Sequence, residues 1–463
     1  MLKRLWLLAA VCTVALAVPA AASAVEGTPI PGQYIVVLKH GANGHAVAAE
    51  HARSAHARVL HTYDAALHGY AARLSPAGLA KVKADARVAF VIQDREATVV
   101  QSQVLPTGVN RIDADLSPTA QYAGNGTGAA AGAMTSGGPI TSGVAVYDTG
   151  IDLKHPDLTV AGGVNCLDAS DAYNDGTLND GLGHGTHVAG IIGAKDDGNG
   201  VVGVAPGVPL WDVRVDDSLG SSTTSAQLCG INWITQNAAA VSPPIRVVNS
   251  SQVLIGGKDD GNCGYTNNDV LHQAICASTN AGITWVFAAG NSDADLAGTG
   301  GASYDEALAV TAMADSNGQP NVGSGSKFSC KSAIQSNGSN TTSGTDDTYA
   351  TFSNFAVSAA DQAHTVAAPG VCIYSTFIRQ SYGYMSGTSM ASPHAAGTVE
   401  LCILSGQCAG TPADTIAKVR GGAITYNQAN PKYGFSGDPL RPARSTSKQP
   451  TGYYGYLIRA GLY

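Results

Sequence analysis

The chain has 463 residues, 44% of them hydrophobic and 13% charged, with 56 glycines and a formal net charge of −8. That length buries one or two full cores, which excludes a disordered chain. An acidic balance without a basic patch excludes a nucleic-acid-binding surface.

The first 24 residues read as a signal peptide. Lys3 and Arg4 supply the positive start, Leu5 to Val18 the apolar stretch, and Ala22-Ser23-Ala24 a small-residue cleavage site. A run of 14 apolar residues is short against the roughly 20 needed to span a bilayer. No later run is long enough either, so export to the extracellular space or periplasm is expected, with no membrane partner. Of nine cysteines, Cys12 leaves with the signal, and eight remain. An even number in an exported chain favours disulfides. Cys402–Cys408 and Cys263–Cys276 would close short loops, and the other pairings stay open. No C-x-x-C pair with matching histidines supports a zinc site.

Residues 25–100 hold 8 Lys and Arg against 6 Asp and Glu, a net of +2, whereas residues 101–463 hold 16 against 28, a net of −12. Two bodies of opposite sign attract. The first reads as strand Gln33–Leu38, helix His45–Ala57, strand His68–Leu74, a helix capped by Ser75 and running through Ala84, and a strand from Val88. Six of the twelve histidines lie in this small body (His40, His45, His51, His56, His61 and His68). Their protonation between about pH 7 and 5 is a hypothesis for how its fold or docking is tuned. A release rate that is flat from about pH 5 to 8 would end it.

In the larger body, β-branched runs alternate with helical stretches: Gly143–Asp148, Pro209–Val215, Ile245–Asn249, Ile283–Ala288 and Ala307–Met313. This predicts a parallel sheet with helices on both faces. Gly124–Gly143 and the Ser/Thr-rich Ser324–Thr348 read as surface loops, and Gly455–Ala460 as a closing strand and turn.

Three glycine-rich segments then carry chemistry. They are Val144-Ala145-Val146-Tyr147-Asp148-Thr149-Gly150, Gly183-His184-Gly185-Thr186-His187-Val188-Ala189-Gly190, and Gly387-Thr388-Ser389-Met390-Ala391-Ser392-Pro393-His394. A serine is a weak nucleophile until a base takes its proton. His184 suits that base, because an imidazole titrates near the working range. Asp148, at a strand end, would orient the ring and stabilise its cation. Ser389 is placed at a helix start, where the positive end favours developing negative charge. A fourth segment, Ala288-Ala289-Gly290-Asn291-Ser292, offers the Asn291 amide as a donor to an oxyanion. His187 and His394 read as structural.

The order Asp…His…Ser, together with Asn291, resembles subtilisin-like serine proteases, the subtilases. The likeness extends over residues 25–463. It implies a three-layer α/β/α catalytic domain at 101–463 with a central parallel sheet. Ahead of it, residues 25–100 are similar to the inhibitor-type prosegment, a small α+β ferredoxin-like domain. The implied activity is hydrolysis of protein and peptide substrates by a monomer, through an acyl-enzyme. The implied partner is the prosegment itself, an intramolecular inhibitor removed by self-cleavage near Val100-Gln101. Two rivals stand beside this reading. A non-catalytic peptide binder is disfavoured by the intact Asp, His, Ser and Asn set, and an acid peptidase by His184. One departure matters. Where subtilases carry Ser-Leu-Gly-Gly after the central strand, this chain reads Asn249-Ser250-Ser251-Gln252-Val253-Leu254-Ile255-Gly256-Gly257, so subsite preference does not carry over.

The resemblance also implies a structural calcium ion. Asp157 and Asp197 fall on the family's side-chain ligand positions, and Lys195, Asn199 and Val201 on its backbone-carbonyl positions. Hard oxygen donors suit calcium.

Overall fold

The computed structural model describes residues 29–65, 67–95, 103–122, 140–167, 176–336, 339–442 and 452–463. The signal peptide, the junction near Val100-Gln101 and most of the Gly124–Gly143 stretch lie outside the described residues. By contacts the chain divides into two compact units, Met1–Val100 and Gln101–Tyr463.

The first unit runs β1 Pro29–Leu38, α1 Gly44–Ser54, β2 Arg58–Tyr63, β3 Gly69–Arg73, α2 Pro76–Ala84 and β4 Val88–Arg95. Its sheet has the order β2-β3-β1-β4, with every pair antiparallel. Asn43 and Ser75 cap the two helices, each side chain accepting a backbone N–H of the first turn. Val36, Leu38, Val47, Tyr70, Ala72 and Val82 form its core. Two expectations need correction. The helix read to Ala57 stops at Ser54, and Arg58–Tyr63 is a strand that was not anticipated. His56 adopts a left-handed φ of 51°, which a helix does not continue through, and the chain beyond it is free to pair with β3. Of the six histidines only His51 is buried, held between Asp85 and the Tyr70 hydroxyl.

The second unit runs α3 Thr107–Arg111, β5 Gly143–Asp148, β6 Val160–Asn165, α4 His184–Gly193, β7 Leu210–Arg214, α5 Thr224–Asn237, β8 Ile245–Ser250, α6 Val270–Asn280, β9 Thr284–Ala288 and β10 Leu308–Ala314. It continues with β11 Lys327–Ser336, β12 Ser339–Thr345, β13 Thr348–Tyr349, α7 Ala359–Ala363, β14 Thr365–Pro369, β15 Ile373–Phe377, β16 Ser381–Met385, α8 Thr388–Leu404, α9 Pro412–Ala429 and β17 Tyr456–Leu457. The main sheet has the order β17-β14-β10-β9-β8-β5-β7-β6, all parallel, with β13 added antiparallel to β10.

Strand alternation explains the three layers. Val144 and Val146 of β5 join one core with Val188 and Ile191 of α4 and Met390 and Val399 of α8. Ala145 and Tyr147 join the other with Ile231 and Ile234 of α5 and Leu271 and Ile275 of α6. Both faces of each central strand are thus covered, which is why these strands read as continuous apolar runs.

The loop expected at Ser324–Thr348 is instead largely the hairpin of β11 and β12, paired from Lys327↔Thr345 to Lys331↔Thr341. Its threonines are β-branched and suit a strand. Cys330–Cys372 ties the hairpin to the segment just before β15. The other bridges are Cys166–Cys229, Cys263–Cys276 and Cys402–Cys408. Cys166–Cys229 closes a span of 63 residues and on a chain-entropy account contributes about 4 kcal/mol. Among the described residues no helix is long and apolar enough to cross a membrane.

Candidate active site

In an open parallel sheet, side chains converge outside the carboxyl ends of the strands. Asp148 is the last residue of β5, Ser250 the last of β8, and Asn291 follows β9 closely. These strands are neighbours in the order β9-β8-β5. Helices α4 and α8 begin at the same edge, so their first turns carry His184 and Ser389.

Asp148 is wholly buried, and its Oδ1 accepts from His184 Nδ1 at 2.7 Å and from the Thr149 N–H at 2.8 Å. That bond fixes the imidazole tautomer and leaves Nε2 as the basic atom. The ring keeps 20% of its side-chain surface open, so the basic edge stays accessible. Burial pulls the imidazole down, but Asp148, then Asp216 and Asp180, outweigh it and raise the ring to about 9. A base must be neutral to accept a proton. The expected result is that kcat/KM on an uncharged peptide climbs roughly tenfold per pH unit toward about 9. An acid limb centred near pH 6 would contradict this electrostatic account.

Ser389 occupies the first turn of α8, where its Oγ donates to the Ser251 carbonyl at 2.9 Å. The backbone of Ser389 is anchored in an unusual way. Pro393, four residues on, has no N–H to give the Ser389 carbonyl. Ser251 Oγ supplies the missing donor at 2.7 Å. The segment after β8 therefore grips Ser389 twice.

Asn291 is oriented by its oxygen. Oδ1 accepts the Thr388 N–H at 2.8 Å and the Thr388 hydroxyl at 3.1 Å, which turns Nδ2 outward. A Cβ built on Gly387 would stand 3.4 Å from Asn291 Nδ2 and 3.6 Å from the Ser389 nitrogen. The Asn291 amide nitrogen and the Ser389 backbone nitrogen thus flank one point, where two N–H donors could serve an oxyanion. Gly290 is needed on two counts. Its φ is +103°, and a Cβ there would lie 2.4 Å from Asn354 Nδ2.

Asp180 went unnoticed in the sequence. Buried, it accepts from Leu182 N, Gly183 N, Thr186 N, Thr186 Oγ1 and Thr149 Oγ1, all at 2.7 to 2.9 Å. It therefore ties the start of α4 to the residue after Asp148. An acid four residues ahead of a glycine-rich helix start was the available signal. Asp216, just past β7, was also missed. Burial, with Asp148 close by, pushes its carboxyl up to about 8. With its amide nitrogen turned to face Asp216, Gln252 donates to that carboxylate at 2.7 Å. The departure from the family's Ser-Leu-Gly-Gly thus brings a polar pair close to His184. His187 and His394 are wholly buried and bonded to carbonyls, His187 to Ile373 and Gly383 and His394 to Met390.

At the expected cation site, Asp157 is buried with Oδ1 lacking any hydrogen-bond partner, while Oδ2 accepts from Val201 N at 3.0 Å. Burial pushes its carboxyl up to about 7, with Asp197 adding to the rise. Gln103, not singled out from sequence, places Nε2 2.9 Å from the Lys195 carbonyl and 3.4 Å from that of Val201. The Lys195 and Val201 carbonyls thus converge on Gln103, beside the Val201 N–H that Asp157 holds. Asn199 is exposed and its amide bonds back to Asp197 within the loop.

Residues 141–434 match the family model described as the Subtilase family, and residues 33–99 match Peptidase inhibitor I9. The chain is 36% identical over 263 residues to Subtilisin DY of Bacillus licheniformis, covering 56% of this chain and 76% of that relative. It is 32% identical over 337 residues to Subtilisin E of Bacillus subtilis, covering 72% of this chain and 70% of that relative. A solved cold-adapted subtilisin-like serine proteinase aligns over 78% of this chain and 99% of its own, at 24% identity and a TM-score of 0.49. The chain belongs to the subtilase family. It is a serine endopeptidase of that family and carries an I9-type propeptide region.

Proposed function

We propose that the protein is an exported endopeptidase made as an inhibited precursor. Residues 1–24 direct export, 25–100 form the prosegment, and 101–463 hydrolyse peptide bonds. The observation that carries this reading is the Asp148–His184 bond of 2.7 Å at the sheet edge where Ser389 opens α8. An extended substrate pairs its backbone with the segment after β8. His184 Nε2 takes the Ser389 Oγ proton as the oxygen attacks the scissile carbonyl carbon. The carbonyl oxygen becomes an oxyanion facing Asn291 Nδ2 and the Ser389 N–H. Asp148 stabilises the imidazolium, which then gives its proton to the leaving amine. Water, deprotonated by the same ring, hydrolyses the ester and restores Ser389. A peptide-library digest read by mass spectrometry tests this and reports specificity. Hydrolysis that persists at neutral pH after complete modification by a serine-directed phosphonate would refute it.

A calcium ion fits the Asp157 cluster, since the orphaned Oδ1 and the converging carbonyls are hard oxygen donors. Asp157 and the Lys195 and Val201 carbonyls would hold it, with Asp197 and Asn199 completing the loop. The ion would supply the positive charge that compensates the buried Asp157 carboxylate. At one hundred times Kd it stabilises by about 2.7 kcal/mol. Chelation with EDTA is expected to lower Tm by about 5 °C, and Asp157→Asn to abolish the response. An unchanged melting curve in EDTA would remove calcium from this account.

A further inference from the structure

The connection from β8 to α6 and the turn before β10 place a histidine among carboxylates, at positions that serve neither hydrolysis nor the Asp157 cluster. His272, on α6, has a side chain only 1% exposed. Its ring stacks on Tyr304 with centroids 3.9 Å apart and planes 5° apart, and the Tyr304 hydroxyl donates to Asp269 at 2.8 Å. The plane of the imidazole is therefore fixed. In it, Nε2 stands 3.0 Å from Glu306 Oε1 and 3.8 Å from Asp259 Oδ2. Nδ1 is buried without a hydrogen-bond partner, and Asp260 Oδ1 lies 3.9 Å away. Asp260 is itself held by the backbone N–H groups of Asn262, Gly264, Thr266 and Asn267. Cys263–Cys276 clamps that loop onto α6.

We propose that Asp259, His272 and Glu306 form a binding site for a zinc-class divalent metal ion. One ligand atom from each residue lies within 4.8 Å of the other two. A tetrahedral ion with bonds of about 2.1 Å holds its ligands roughly 3.4 Å apart, so small side-chain shifts suffice. One imidazole nitrogen with two carboxylate oxygens suits zinc or a neighbouring transition metal, whereas calcium takes oxygen ligands. With Nε2 on the metal, Nδ1–H faces Asp260, the carboxylate–histidine–metal arrangement that fixes ligand orientation. The same residues line an open cavity of about 540 Å³, which leaves a fourth position to water. The rival account is an imidazolium paired with Glu306 and no metal.

The test uses the full chain with Ser389→Ala, which cannot digest itself, in excess calcium so that oxygen sites are filled. Zinc is titrated, and bound metal is measured after dialysis. The expected result is one zinc per chain and a raised melting temperature, with Glu306→Gln and His272→Gln each weakening binding at least roughly tenfold, the loss that even an outer hydrogen-bond partner produces. Glu306 is partly exposed, so its variant keeps the fold, and circular dichroism verifies that. Two outcomes overturn the proposal: no zinc bound by the parent chain, or zinc retained in full by the folded Glu306→Gln chain.

Discussion

Ser389→Ala is expected to lower kcat by about 10⁶-fold, a magnitude taken from a subtilisin and not calculated from this geometry. The alanine keeps the helix start, because Pro393 and the Ser251 hydroxyl act on the backbone of residue 389 and not on its side chain. What disappears is the oxygen that forms the acyl-enzyme, so His184 and Asn291 are left with nothing to activate. The same loss should appear in biosynthesis. If the prosegment is released by the chain's own site, the variant accumulates as an uncleaved precursor in a protease-free host, visible as a larger band and as peptides crossing Val100-Gln101. Normal processing of Ser389→Ala would show that another protease makes the cut.

Asp148→Asn should lower kcat roughly 10⁴-fold, about 5 kcal/mol of barrier. An amide of the same shape preserves the packing of a residue with no exposed surface. Its nitrogen, however, can donate to His184 Nδ1, which selects the tautomer whose Nε2 carries the proton and cannot accept one. The largest pull that lifts the ring toward 9 is also lost, so the residual activity should show an acid limb at lower pH. Stopped-flow or discontinuous assays across pH on purified variant would detect both changes. Unchanged kcat with a shifted KM alone would mean that Asp148 serves binding, not the base.

The members of the candidate site were legible because each sits on a short segment marked by glycine, where backbone approach is close and few residue types fit. Asp148 at a strand end and Ser389 at a helix start follow from local pattern, and the central strands follow from their continuous apolar runs. Less legible was whatever depends on distant partners. The strand Arg58–Tyr63 exists because β3 is there to pair with it, and its own alternation is weak. In the β11–β12 hairpin, β12 has only Ser, Asn, Thr and Gly residues, and a bridge to Cys372 holds β11, which no spacing rule among eight cysteines could choose. Asp180 and Gln103 were missed for a related reason. A carboxylate or amide that organises backbone N–H and C=O groups leaves no periodic trace, and only the folded loops around it show what it holds.

The double grip of Ser251 on residue 389 has a practical consequence for altering selectivity. A designer who swaps the whole stretch beyond β8 to import another protease's preference would also remove the hydroxyl that substitutes for the proline-broken helix bond, and would loosen the reactive alcohol's footing along with it. Grafts that begin at Gln252 and spare Ser251 separate the two roles, so the cleft wall can be redesigned without disturbing the chemistry beneath it.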